Sequence, residues 1–164
     1  MTHAPHHKHE KTGAERRQHA RLPVVEGMIE PITVQFGSEG NAAGSAAGQP
    51  AILTNLSAGG MSLLMFLEPP HAKRLDMVLS IPGLDRVAIE GHVVRVHQRG
   101  PTYNVGISFT QISKKHQDQI SKMAEDHGDC ETRVGLKLPE VCVKTCTFHA
   151  LCAKPQKMPF WPKK

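Results

Sequence analysis

Two short groups of residues have the types and spacing to hold an anion that also carries hydrogen-bonding bases. The first is Glu15-Arg16-Arg17-Gln18-His19-Ala20-Arg21, in which Arg17 and Arg21 stand four apart. A guanidinium is planar and always charged, and its donors form a fork that fits phosphate oxygens or the O6/N7 edge of guanine. Two of them on one segment can wrap a ligand that carries both groups. Taken alone, an arginine pair before a strand is more often solvated surface. The second group is Asn55-Leu56-Ser57-Ala58-Gly59-Gly60. Asn and Ser side chains shape turns by bonding to nearby backbone, while the glycines permit positive φ and a close approach of ligand to backbone. Alone, this is the composition of a tight turn with no ligand. The two groups together are far more selective than either.

A third group carries different chemistry. Cys130, Cys142, Cys146 and Cys152 all fall near the C-terminal end, spaced x11, x3 and x5. Clustered cysteines in a chain with no apolar leader point to metal or redox chemistry before structural disulfides. Four thiolates at this density are a candidate site for zinc or an iron–sulfur cluster. The spacing is neither the x2 pairing of zinc ribbons nor a ferredoxin run. Independent reduced thiols, or a ligand set completed by His149, stand as alternatives. The tail is too short and too rich in Pro and Lys to build a core alone, so a metal is one way to fold it, with Phe148, Leu151, Phe160 and Trp161 as its shield.

The histidines carry less. His3, His6, His7 and His9 lie in a polar N-terminal stretch that reads as disordered, with loose metal binding as its other reading. His19 and His92 have the chemistry of general bases, but a lone histidine in such places is more often surface or strand filler. With no triad, paired carboxylates or phosphate-binding loop, the chain is not expected to be an enzyme.

The elements that must position these groups are mostly strands. Leu22 to Phe36 is strand-forming but punctuated by Pro23 and Pro31, which predicts a bent or edge strand. Residues 37–50 read as a long Gly/Ala/Ser-rich connection. Ala51 to Leu67 predicts two strands around the Asn55–Gly60 turn. Met77 to Ile81 is a further strand, closed by Pro82-Gly83. Val87 to Val96 and Tyr103 to Phe109 form a hairpin about Gln98 to Pro101. The pattern then changes to helical spacing, with Ile112, Ile120, Met123 and Ala124 on one face and Gly128 as its stop. These elements predict a mainly β fold: about six strands in a small closed or nearly closed barrel, a helix packed on it, and a short Cys-rich tail.

Composition narrows the function classes. The net charge is +5, with +3 in residues 1–21, +5 in residues 130–164 and therefore −3 in the body between them. An acidic body with 4% aromatic residues is not the surface of a nucleic-acid binder. It suits local capture of a small anion. No run of about 18 or more apolar residues is present to span a membrane, and a cytoplasmic location is expected.

Arg17-x-x-x-Arg21 followed by Asn55-x-Ser57-x-x-Gly60 resembles the PilZ domain family. Gly91-His92-Val93-Val94-Arg95 and Tyr103-Asn104-Val105-Gly106-Ile107-Ser108-Phe109 are similar to its late strand pair. The resemblance covers 14–127, with the arginine motif at 15–21, the barrel at 22–110 and the helix at 111–127. Residues 1–13 form a His-rich terminus before it, and residues 128–164 form the tail after it. The resemblance implies a six-stranded antiparallel β-barrel with a C-terminal α-helix, and a bacterial receptor for the second messenger cyclic di-GMP. Arg17 and Arg21 would hold guanine and phosphate. Asn55 and Ser57 would bond to the other guanine and to backbone, and Gly59 and Gly60 would let the ligand approach. Many family members carry Asp where this chain has Asn55, which keeps the acceptor oxygen and loses the charge. Arg16 stands where the family associates an arginine with a stacked ligand dimer. Ligand binding would reorder the arginine segment and change the surface shown to an unidentified downstream protein. The alternative is a zinc or iron–sulfur redox sensor that uses the cysteine tail, with the barrel as scaffold.

Overall fold

The computed structural model describes residues 18–23, 32–34, 49–69, 74–138 and 142–152. The N-terminal stretch 1–13, Arg16, Arg17, most of the connection before Gln49, and Phe160 and Trp161 lie outside them. Seven strands are present among the described residues: β1 Arg21–Pro23, β2 Ile32–Val34, β3 Gln49–Ser57, β4 Gly60–Met65, β5 Leu75–Ile81, β6 Leu84–Arg99 and β7 Thr102–Ile112. They are followed by helix α1, Lys114–Gly135, and a one-turn 3-10 helix, Thr147–Leu151. All pairings are antiparallel, in the order β1-β3-β4-β7-β6-β5, with β2 also on β3. The expected first strand is therefore two short pieces. β1 pairs with residues 55–57 of β3 and β2 with residues 49–51. Six strand positions result, the first of them filled twice. β2 also lies against β5, so the sheet curls into a half-barrel.

The strands bury one face on a period of two. Met61, Leu63 and Met65 of β4 and Leu75, Met77, Leu79 and Ile81 of β5 enter the core this way. On β3 the phase changes. Ala51 and Leu53 point inward, but a register shift between Leu53 and Asn55 makes Thr54 a bulge, its hydroxyl donating to the Ser62 carbonyl at 3.1 Å. A bulge moves the following side chains to the opposite face. Leu56 is thereby buried, and Asn55 and Ser57 are left on the outside. Had the strand alternated regularly through Thr54, the polar pair would point into the barrel.

β5 and β6 join through Pro82-Gly83, where Gly83 has φ +87°, a conformation that side chains disfavour. α1 starts at Ser113, whose hydroxyl accepts the His116 amide at 3.3 Å. Ile112 ends β7 instead of opening the helix. Gly128 does not stop α1, which runs on to Gly135. A glycine inside a helix costs only about 1 kcal/mol, and tertiary packing readily offsets that.

That packing comes from the tail. Phe148 and Leu151 are buried with the barrel core, and Phe148 meets the His127 ring edge-on at 4.7 Å between centroids. Asp126 accepts from both the Thr147 amide (2.7 Å) and its hydroxyl (2.8 Å), and pairs with Lys122 at 3.0 Å. Burial raises the Asp126 pKa, but the Thr147 bonds and Lys122 outweigh it and hold the carboxyl below its ordinary 3.8. A carboxyl depressed by folding adds stability above its ordinary pKa, and that stability is lost as pH falls through the folded value. Tail docking is therefore expected to hold at neutral pH and to loosen below about pH 4. The Thr147 amide resonance, followed by NMR, should titrate in that window in the native chain and not in Asp126→Asn. A resonance that stays still until the whole barrel unfolds would remove Asp126 from this role.

Candidate functional site

The antiparallel register sets Arg21 directly opposite Ser57 and Pro23 opposite Asn55. The two polar groups of the sequence, separated by more than thirty residues, thus become cross-strand neighbours. Leu22, between Arg21 and Pro23, is buried and pins the short β1 to the barrel, and α1 packs behind β1 and β3. Ser57 donates to the Gly60 carbonyl at 3.1 Å, and the Phe109 amide donates to the Gly59 carbonyl at 3.0 Å. These bonds fix the β3–β4 turn on β7.

Neither Gly59 nor Gly60 uses a positive φ, which corrects that part of the expectation. Their bareness serves packing. A Cβ on Gly60 would run into the Ile107 carbonyl oxygen, because β4 passes close to β7 there. A Cβ on Gly59 would stand 2.7 Å from Cδ2 of His19.

Arg21, Asn55, Ser57, Gly59 and Gly60 line one open cleft of about 520 Å³. This volume lies within the ordinary range for small-molecule sites, about 300–1,000 Å³. The wall opposite β1 comes from β6 and β7. A register shift between Val93 and Arg95 makes Val94 a bulge, so that Val94 and Arg95, consecutive in sequence, both line the cleft. The Arg95 side chain lies across Gly106, its Cβ 3.5 Å and its Nε 3.8 Å from where a Gly106 Cβ would be. Ser62 and Ser108 add hydroxyls to the lining, which among the described residues holds two arginines and no carboxylate. The Arg21 and Arg95 guanidiniums and the hydroxyls give the cleft hydrogen-bonding groups and positive charge, a chemistry that suits an anion.

The family model of the PilZ domain matches residues 15–126. The chain belongs to the PilZ domain family. Two solved structures share its fold. One is the Bacillus subtilis inhibitor of motility, MotI/DgrA, with TM-score 0.51 and 17% identity, covering 76% of this chain and 54% of that one. The other is Escherichia coli YcgR in complex with c-di-GMP, with TM-score 0.52 and 16% identity, covering 76% of this chain and 51% of that one. The chain thus matches about half the length of each. No curated protein matches the chain.

Sequence reasoning missed Arg95 as a lining residue of the PilZ cleft and set His19 aside as surface. Arg95 stood inside a quoted strand segment, but its place in the cleft depends on the Val94 bulge and on pairing with β7. For His19 the available signal was the bare Gly59 forty residues later.

The four cysteines carry no disulfide and are all half-buried. No group of three or more His, Cys, Asp or Glu side chains among the described residues is placed to hold a metal ion. Burial pushes the Cys146 thiol pKa up, against an amide bond from Phe148, and Asp126, Cys130 and Cys142 push it further. The four thiols as placed do not fit a zinc or iron–sulfur ligand set. Phe148 and Leu151, expected to shield a metal, belong to the barrel core instead.

Proposed function

We propose that this PilZ protein is a cyclic di-GMP receptor that acts by binding, not by catalysis, and signals to a downstream protein. The observation that carries the reading is the placement of Arg21 across from Ser57 and beside Asn55, in a cleft with Arg95 on its far wall and no carboxylate among its described lining residues. The ligand's two phosphodiesters are anions, and its guanines present O6 and N7 to a guanidinium fork. The Asn55 carboxamide can accept from a guanine amino group, and the hydroxyls of Ser57, Ser62 and Ser108 can serve phosphate or ribose. Arg16 and Arg17 directly precede the described part of the cleft in sequence. In this reading Arg17 joins Arg21 on one ligand, and Arg16 admits a second, stacked copy. The shared fold of Escherichia coli YcgR in complex with c-di-GMP supports the ligand's compatibility with this barrel.

Calorimetric titration with cyclic di-GMP is the test, with cyclic di-AMP as the control. Adenine puts an amino donor where guanine has O6, so the fork loses a partner and must leave a donor unpaired. Each such bidentate pair discriminates by about 1–3 kcal/mol, so cyclic di-GMP is expected to bind on the order of 10- to 100-fold more tightly. A stoichiometry of two would report the stacked dimer. Equal affinities would replace guanine recognition with simple anion capture, and no heat with either nucleotide would end the proposal.

A further inference from the structure

Gly59 is bare for a reason that lies outside the turn. Its φ is not positive, so the backbone there does not call for glycine. The three atoms nearest to a Cβ built on it all belong to the His19 imidazole, Cδ2 at 2.7 Å, Nε2 at 3.3 Å and Cγ at 3.7 Å. The ring occupies the space that any side chain at position 59 would take. Gln18 and Ala20 are exposed, while His19 between them is half-buried. The seat itself is held, since the Gly59 carbonyl accepts from Phe109 on β7 at 3.0 Å.

His19 lies in the bend two residues before Arg21, and both residues line the cleft. We propose that His19 is a positioning residue: its imidazole, seated on Gly59, latches the segment leading into β1 to the β3–β4 turn and holds Arg21 in the cleft. This rests on the cleft being the cyclic di-GMP site. β1 is only three residues long, and its ladder alone gives the guanidinium little anchorage. A ring contact made before the ligand arrives removes part of the ordering cost that binding would otherwise carry.

The latch is testable with and without nucleotide, using His19→Ala, Gly59→Ala and the double variant in the full chain. Without nucleotide, trypsin cleavage after Arg21, read by mass spectrometry, should be about tenfold faster in each single variant, because local opening sets that rate. The double variant should cleave no faster than either single, since a methyl at position 59 displaces a ring that is no longer there. His19→Phe, which keeps a ring on the seat, should cleave like the native chain. With cyclic di-GMP, each single variant should bind about tenfold more weakly and the double no worse. Unchanged cleavage in both singles, or losses that multiply in the double, would overturn the latch. Altered cleavage with unaltered nucleotide affinity would overturn its positioning role. Cleavage as expected in a native chain that ignores the nucleotide would leave the latch standing and sink the receptor reading instead.

Discussion

Arg21→Ala is expected to weaken cyclic di-GMP binding on the order of 100-fold while leaving the barrel folded. The side chain is exposed, and β1 is held by the buried Leu22 and by its ladder to β3, so little stability depends on the guanidinium. What it supplies is a charge-assisted fork in a cleft whose described lining residues include no carboxylate. Hydrogen bonds to charged groups are worth about 1.5–3 kcal/mol each, and the loss of one or two of them from a partly solvated site gives roughly 2–4 kcal/mol, or about 30- to 700-fold in affinity. Arg21→Lys separates the two contributions. Lysine keeps the charge but not the planar fork, so it should recover only part of the loss. Calorimetry on the three proteins, with circular dichroism to confirm the fold, decides the matter. A loss of less than threefold in Arg21→Ala would place the guanidinium outside the site. Full recovery in Arg21→Lys would reduce its role to charge.

The parts of the fold that were legible in the sequence were those with local causes. Alternating apolar residues marked β5, β6 and β7, Pro82-Gly83 and Gln98 to Pro101 marked the turns, and helical spacing through Ile120, Met123 and Ala124 marked α1. What was not legible depended on distant partners. The Thr54 bulge, which turns Asn55 and Ser57 outward, exists because β3 must register with β4 on one side and with β1 on the other. Arg95 reaches the cleft through a bulge opposite β7. Gly128 reads as a helix stop, yet the helix passes through it because His127 and Asp126 just before it have the tail to pack against and bond to. The cysteine tail was half legible for a related reason. Their spacing was visible, whereas the alternative means of holding the tail, two apolar side chains entering a core built by other strands, was not.

Phe148→Ala is the change expected to test that alternative most severely. Phe148 is 1% exposed and among the largest fully buried side chains of the protein, and it stands edge-on to His127 between α1 and the barrel. Truncating a buried phenylalanine costs about 3–5 kcal/mol, part lost transfer energy and part cavity. Two responses are available. If the tail stays docked over the cavity, the whole cost falls on the fold, and the melting temperature drops by on the order of 10 °C for a chain of this size. If docking is worth less than the cavity costs, the tail releases and the drop is capped at the docking energy. Release has its own signature, because Cys146 and Cys152 now pack partly buried against the core and would become open to alkylation at the rate of unfolded thiols. Either response makes the tail an integral part of the PilZ barrel's packing. A variant with native melting temperature and native thiol protection would show that Phe148 contributes nothing. Addition of a chelator to the native protein completes the comparison: a tail held by Phe148 and by Asp126–Thr147 keeps its thiols protected, whereas a tail folded around a metal exposes them.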